Sequence, residues 1–202
     1  MNLPNKLTLL RFLLVPVFMF FLERYIALMP STGIVGYNVL IALIIFAVAS
    51  FTDFLDGSIA RKYNLVTDFG KFMDPLADKV LTTAAIVYLV KFDLCSPIVL
   101  IIILTREFAV SGIRMIAATS AGGGKVIAAS MWGKVKTVMQ MISIIIAFLF
   151  VALVEMQVVA VMPFVPLMIV IINVLMWIVA VATVVSGLQY IIPNFDLIKN
   201  AK

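Results

Sequence analysis

Long stretches without charge are the feature that most constrains how this chain folds. The clearest are Ile34–Phe51, Thr82–Val90, Pro97–Leu104 and Met162–Ser186. A helix needs about 20 apolar residues to cross the hydrocarbon core of a bilayer, and lipid offers no partner for the open edge of a sheet. With 64% hydrophobic residues and a mean hydropathy of +1.21, the chain is predicted to be an all-α, polytopic membrane protein.

Breaks rich in proline, glycine and charge divide the chain into six predicted transmembrane helices within a single domain, residues 1–202. The segment Asn2–Arg11 is predicted to be a short amphipathic helix lying at the membrane interface before the first span. No secretory signal peptide is expected, because no small-residue cleavage site is evident and apolar segments continue along the chain. The six predicted spans are Leu9–Met29, Val35–Ala60, Phe72–Val90, Pro97–Ala118, Met131–Val154 and Pro163–Ile191.

Lysine and arginine are distributed unequally between the two predicted sides of the membrane. Twelve lie on the side that holds both termini, and only Arg24 and Lys91 lie on the other, with Arg106 inside the fourth span. Positive charge marks the cytoplasmic side. We therefore expect a protein of the cytoplasmic (inner) membrane with cytoplasmic termini, in contact with membrane lipids. Nucleic acid is not an expected partner, because the charges lie at membrane edges.

Acidic residues are concentrated in one short segment, where five of the chain's ten fall between Asp53 and Asp78. Asp53 and Asp56 are three apart near the end of the second span, and Asp74 and Asp78 are four apart at the start of the third. Both spacings place a pair of side chains on one helical face. Because the connection is short, the two helices are expected to be antiparallel neighbours, so that four carboxylates converge at the cytoplasmic edge.

Four converging carboxylates repel one another unless a cation binds them. The chain has no histidine, and oxygen ligands favour Mg²⁺ or Mn²⁺. Arg61 adds a cation suited to phosphate. A simpler interpretation is that these aspartates are solvated charges at a helix end. Solvated charges, however, would have no need to form two pairs, each on one helical face. A divalent-cation transporter remains the alternative from another functional class.

The string Asp53-x-x-Asp56-Gly57-x-x-Ala60-Arg61, followed by Gly70-x-x-x-Asp74-x-x-x-Asp78, resembles the signature of the CDP-alcohol phosphotransferases. The resemblance implies six transmembrane helices, a homodimer, and a reaction in which an alcohol displaces CMP from a CDP-linked lipid. It also implies two divalent cations held by Asp53, Asp56, Asp74 and Asp78, with Asp78 doubling as the catalytic general base. The implied CDP-lipid site comprises Asn5, Thr8, Asp56, Gly57, Ala60, Arg61 and Gly70.

A second, basic set of residues bears on which alcohol is used. Arg106 and Arg114 are eight apart on the fourth span, and Lys134 and Lys136 begin the fifth. They are predicted to form a pocket for a second phosphate. The alternative is a purely topological role for these charges, with Glu107 as the ordinary partner of Arg106.

Within the family, the chain is most similar to members whose acceptor is sn-glycerol 3-phosphate and whose donor is CDP-diacylglycerol. This resemblance spans nearly the whole chain and includes its start, Asn2-Leu-Pro4-Asn5-x-Leu-Thr8-x-x-Arg11. Members that act on inositol phosphate are the rival within the family, since that alcohol also carries a phosphate. For Asn5 and Thr8, capping of the first helix is an equally good interpretation.

Overall fold

In the part of the chain that the structure describes, six long helices make up the fold, which confirms the all-α prediction. The structure, a computed structural model, describes residues 3–32, 35–62, 68–119 and 131–195 of the chain. The helices are α1 (Leu3–Thr32), α2 (Asn38–Lys62), α3 (Asp68–Lys91), α4 (Pro97–Thr119), α5 (Met131–Glu155) and α6 (Val165–Ile191), and single 3₁₀ turns at Met162–Phe164 and Ile192–Asn194 flank α6. Each overlaps one predicted span.

Three helical stretches in the described ranges are both long enough and apolar enough to cross a membrane. They are Asn5–Leu28, Met131–Glu155 and Met162–Asn194, and a shorter apolar stretch covers Asn38–Thr52. α1, α5 and α6 therefore support the prediction of a membrane protein. The other three helices, which carry charged ends, are not needed for this conclusion.

The separate interfacial helix predicted for Asn2–Arg11 is wrong for the residues from Leu3 onward. These residues form the first turns of α1, which continues without interruption to Thr32. The physical reason is that Thr8 and Arg11 are fully buried within the protein. Their polar face packs against other helices and so extends α1 beyond the predicted start of the span.

The packing is arranged around α1 and α5. α1 packs mainly against α2 and α3, α5 packs against α6 and α2, and α4 packs against α6 and α3. Aromatic side chains from four helices meet at the centre. The Phe18 ring lies 5.6 Å from that of Phe148 and 6.3 Å from that of Tyr88, in edge-to-face geometry, and 6.0 Å from Phe46. Aromatic pairs in this geometry stabilise the folded protein by more than the burial of their apolar surface alone.

The single cysteine, Cys95, lies in the buried turn between α3 and α4. Burial raises the pKa of its thiol to about 11, because a thiolate is poorly solvated there. The thiol is therefore protonated at neutral pH, and nothing in its surroundings suits it to act as a nucleophile.

A buried carboxylate joins the end of α5 to the start of α2. Glu155 accepts hydrogen bonds from the backbone N–H of Asn38 (3.0 Å) and Val39 (2.7 Å) and from the Asn38 side-chain amide (2.8 Å). A carboxylate at a helix N-terminus satisfies unpaired N–H groups and complements the helix dipole. Gly36 lies so close to Glu155 that a Cβ there would collide with its carboxylate.

We expect Glu155→Ala to lower the free energy of unfolding by about 1–3 kcal/mol, since three donors lose their acceptor at a buried helix end. The measurement is unfolding of the detergent-purified protein by heat or denaturant. Glu23→Ala is the matched control. The exposed carboxylate of Glu23 bonds the exposed Lys91 and the hydroxyl of Tyr88, and loss of an exposed ion pair should lower the free energy of unfolding less. Equal losses in the two variants would contradict the role assigned to Glu155.

Candidate active site

The acidic motif occupies the facing ends of two helices. Asp53 and Asp56 belong to the last turns of α2, and Asp74 and Asp78 belong to the first turns of α3. α2 and α3 contact each other, which agrees with the predicted neighbour relationship. The structure describes only the helical backbone, and not the side chains, at these four aspartates and at Gly57, Ala60, Arg61 and Gly70. Their convergence and their roles stay predictions.

One described side chain lies beside this motif and was not singled out from the sequence. Ser50 precedes Asp53 by three residues on α2, which places both on one helical face. Its Oγ is buried and has no hydrogen-bond partner among the described residues. An unsatisfied buried hydroxyl of this kind indicates a missing polar partner. It is compatible with a ligand or ion at the motif.

The predicted CDP-lipid residues of α1 are buried on one face of that helix. Asn5 is 7% exposed, and Thr8 and Arg11 are fully buried. Each of the three takes part in a polar or electrostatic interaction within the protein. The helix already begins at Leu3, so the capping interpretation of Thr8 is wrong, because an N-cap residue precedes the first helical turn. This polar face belongs to the helix that packs against both α2 and α3.

Basic side chains from three helices converge on Glu107 of α4, and we call these residues together the basic cluster (Lys79, Arg106, Glu107, Ser111 and Lys136). Lys136 of α5 donates to Glu107 Oε1 at 2.6 Å, and Arg106 donates to the same oxygen at 3.2 Å. Lys79 of α3 contacts the Glu107 carbonyl oxygen at 3.4 Å and the Ser111 hydroxyl. The predicted meeting of Arg106 with Lys136 is therefore present, and Glu107 is the partner of Arg106, as the alternative interpretation held.

The basic cluster, as defined, contains three cationic side chains and one anionic side chain. Lys136 and Arg106 donate to one carboxylate oxygen of Glu107, whereas Lys79 contacts the carbonyl oxygen of that residue. The Lys136 side chain is only 2% exposed, and Arg106 Nε is buried and has no hydrogen-bond partner in the described ranges. Gly187 of α6 allows this crowding, because a Cβ there would lie 3.1 Å from Arg106 Cγ. A buried guanidinium donor of this kind beside other cationic side chains is suited to an anionic ligand.

The other two predicted basic residues lie apart from this cluster. Arg114 follows Arg106 by two turns on α4, and its Nε donates to Tyr190 Oη of α6 at 3.1 Å, with the guanidinium over the Tyr190 ring. Lys134 is exposed, whereas Lys136 is buried, because residues two apart on a helix point in nearly opposite directions. The structure therefore places Arg106 and Lys136 together, and brings neither Arg114 nor Lys134 into contact with Glu107.

Several residues of the site were not assigned a role from the sequence. Lys79 and Tyr190 carry no local signal, since their partners lie on other helices 28 to 76 positions away. Gln140 of α5 is buried one turn beyond Lys136. Among the described side chains, no group of three or more His, Cys, Asp or Glu comes together. The four predicted ligands are not among those side chains.

The profile of the CDP-alcohol phosphatidyltransferase family matches residues 1–185. The chain belongs to this family. It is 41% identical to the CDP-diacylglycerol–glycerol-3-phosphate 3-phosphatidyltransferase of Bacillus subtilis, over 99% of this chain and 98% of that protein. The enzyme of the same name from Rickettsia felis is 36% identical over 94% of this chain and 93% of its own length.

A third relative, named a probable phosphatidylglycerophosphate synthase in Mycobacterium tuberculosis, is 41% identical over 71% of this chain and 64% of its own length. Family membership makes this protein a phosphatidyltransferase enzyme. It also favours group transfer over the cation-transporter alternative, which had rested on intramembrane carboxylates alone.

We expect Glu107→Ala to destabilise the protein by about 3 kcal/mol, because it leaves Lys136 buried without its carboxylate. The double variant Glu107→Ala/Lys136→Met should regain part of that loss, since the buried ammonium group is then removed together with its carboxylate. Thermal unfolding of the purified proteins measures both. A double variant no more stable than Glu107→Ala would show that the buried charge of Lys136 is not the source of the loss.

Proposed function

We propose that this protein transfers the phosphatidyl group of CDP-diacylglycerol to sn-glycerol 3-phosphate, giving phosphatidylglycerophosphate and CMP. Two relatives that align over nearly their whole length carry the corresponding enzyme name. The observation that carries the proposal is the basic cluster beside the acidic motif. An acceptor that brings its own phosphate needs such a cluster, whereas an uncharged alcohol does not.

Lys79 connects the two halves of the proposed site. It follows Asp78 directly in the chain, and its ammonium group contacts Ser111 and the Glu107 carbonyl on α4. The cationic cluster thus begins one residue after the last aspartate of the motif. This proximity supports a division in which the acidic half acts on the CDP-lipid and the basic half holds the acceptor.

The acidic half has the donor set for two divalent cations, Mg²⁺ or Mn²⁺. Asp53, Asp56, Asp74 and Asp78 would hold them, since hard cations prefer carboxylate oxygens. The buried, unpartnered hydroxyl of Ser50 beside Asp53 fits a polar occupant at this position. When bound, such cations stabilise charge that develops on the pyrophosphate oxygens.

The remaining residues of the acidic half bind and orient the CDP-lipid. Arg61 offers a fixed guanidinium to the pyrophosphate. The small residues Gly57, Ala60 and Gly70 leave room for the ligand against the helix backbone. Asn5 and Thr8 belong to the buried polar face of α1, which packs on both helices of the motif. Asp78 acts as the general base that accepts the proton of the attacking hydroxyl.

In the basic half, Arg106 and Lys136 hold the phosphate of the acceptor. Their shared contact with Glu107 supports this assignment. Arg114, whose Nε is engaged by Tyr190, and the exposed Lys134 contribute from the outer part of the pocket. The charge steers a dianionic acceptor from the cytoplasm toward Arg106.

All six helices are proposed to cross the cytoplasmic membrane, with both termini and the site on the cytoplasmic side. The shortest has 23 residues, which at about 1.5 Å per residue exceeds a hydrocarbon core of about 30 Å. The bias of lysine and arginine sets the orientation. By family resemblance the protein is proposed to act as a homodimer.

The test is release of CMP by purified protein with CDP-diacylglycerol, Mg²⁺ or Mn²⁺, and a panel of acceptors. We expect glycerol 3-phosphate to support release, with inositol phosphate, serine and glycerol much weaker. Preference for inositol phosphate would establish the rival within the family. No release with any acceptor would overturn the proposed activity.

We expect Asp78→Asn to reduce turnover at least about 10²-fold, since a positioned general base contributes that much or more. The variant should retain the helical content and thermal unfolding of the wild type, which serves as its control. Substantial residual activity would exclude Asp78 as the base.

We expect Arg106→Ala to raise the KM for glycerol 3-phosphate about tenfold or more, since a charge-assisted contact worth at least 1.4 kcal/mol is lost. The KM for CDP-diacylglycerol should change little. Arg24→Ala is the matched control, because Arg24 is cationic and exposed but is predicted to lie on the opposite side of the membrane from the site. Equal effects of Arg106→Ala on both substrates would contradict the acceptor assignment.

A further inference from the structure

Gln140 presents a buried hydrogen-bond acceptor that the described part of the protein leaves unused. The residue is 5% exposed, and its side-chain oxygen Oε1 has no hydrogen-bond partner among the described residues. Nearly all buried polar groups in native proteins are paired, and each exception requires a specific explanation. The simplest explanation is that the hydrogen-bond donor to Gln140 Oε1 comes from outside the described chain.

The hydroxyl groups nearest to Gln140 along α5 are already engaged. Thr137 donates to the Gly133 carbonyl at 3.0 Å, and Ser143 donates to the Met139 carbonyl at 2.8 Å. Both therefore bond to the backbone of their own helix. Neither supplies the hydrogen that Gln140 Oε1 lacks.

The position of Gln140 links it to the basic cluster. It follows Lys136 by four residues, so the two side chains lie on one face of α5, about 6 Å apart along the axis. Lys136 and Arg106 donate to the same oxygen of Glu107. Arg106 Nε, a donor, is also buried without a partner in the described part of the chain. One region of the protein thus holds both an unused donor and an unused acceptor.

This combination selects a particular ligand chemistry. A phosphate dianion offers acceptors, so it can satisfy Arg106 Nε but not Gln140 Oε1. A phosphorylated alcohol offers both, because its hydroxyl groups donate. We propose that Gln140 is a specificity-determining residue that accepts a hydrogen bond from the non-reacting hydroxyl of the acceptor, while Arg106 and Lys136 hold its phosphate.

This inference rests on the proposed function and deepens it. For sn-glycerol 3-phosphate, the secondary hydroxyl donates to Gln140, and the primary hydroxyl remains free to attack. A site that contains a buried hydrogen-bonding group strongly rejects an analogue lacking the matching hydroxyl, because the group is then left unpaired. Gln140 would therefore provide selectivity that the charged residues alone cannot give.

The experiment compares glycerol 3-phosphate with 3-hydroxypropyl phosphate, which keeps the primary hydroxyl and the phosphate but lacks the secondary hydroxyl. CMP release is measured with the full chain in lipid nanodiscs containing CDP-diacylglycerol and Mg²⁺. We expect the wild type to prefer glycerol 3-phosphate at least about tenfold in kcat/KM. In Gln140→Leu the preference should fall to about threefold or less, through loss of activity with glycerol 3-phosphate, and the KM for CDP-diacylglycerol should not change.

Two further variants separate recognition from structure. Gln140→Glu keeps an acceptor oxygen in nearly the same position and should retain most of the preference. Ser143→Ala removes a polar group that is equally buried on α5 but bonded to its own backbone, and it should leave the preference at the wild-type value.

Retention of the wild-type preference by Gln140→Leu would overturn the proposal and would indicate that only water bonds Gln140. The contact with Gln140 can also be tested without turnover, by measuring how much glycerol 3-phosphate and 3-hydroxypropyl phosphate each raise the thermal stability of each variant. If no acceptor releases CMP, the proposed activity fails. The Gln140 inference then stands only if glycerol 3-phosphate stabilises the wild type more than the analogue does, and Gln140→Leu abolishes that difference.

Discussion

The carboxylate of Glu107 is the interaction on which the proposed acceptor site depends. Lys136 and Arg106 share one of its oxygens, and Lys79 reaches the carbonyl of the same residue. Without this carboxylate, the buried Lys136 and the neighbouring Arg106 would lose the anion that they share, and the contact between α4 and α5 would be weakened. The cluster itself contains three cationic side chains and one carboxylate. The contacts that hold α3, α4 and α5 together therefore also leave the region able to attract an anion.

A second carboxylate, Glu155, shows how satisfied hydrogen bonds distinguish a structural contact from a candidate binding site. It lies at the other end of α5 and accepts three hydrogen bonds from Asn38 and Val39. Both of its oxygens are used, and its donors are backbone and amide N–H groups of one helix start. The contact therefore fixes α2 against α5. Around Glu107, in contrast, Arg106 Nε is buried and has no hydrogen-bond partner among the described residues.

Much of this arrangement follows from local sequence patterns, and the remainder depends on contacts between distant residues. The six helices could be predicted because runs of apolar residues and their breaks are local signals. The separation of Lys134 from Lys136 follows from helical periodicity alone, although the sequence analysis grouped the two residues together. The contact of Lys79 with Ser111 and that of Arg114 with Tyr190 join different helices, and no local pattern encodes them. The burial of Thr8 and Arg11 in α1 likewise depends on packing against other helices, which the local sequence of an amphipathic segment does not show.

The division of the site into two halves explains how a widely shared motif can serve different acceptors. The aspartates of α2 and α3 are proposed to act on the part that every CDP-linked lipid shares, and their spacing is typical of the family without identifying the alcohol. Selection must then come from elsewhere, and charge alone selects only for a phosphate. Inositol phosphate and glycerol phosphate carry the same charged group, so they can be told apart only by shape and by their hydroxyl groups. Gln140 offers a neutral hydrogen-bond acceptor one helical turn from Lys136, the residue proposed to hold the phosphate, and is the type of residue that this second step of selection requires.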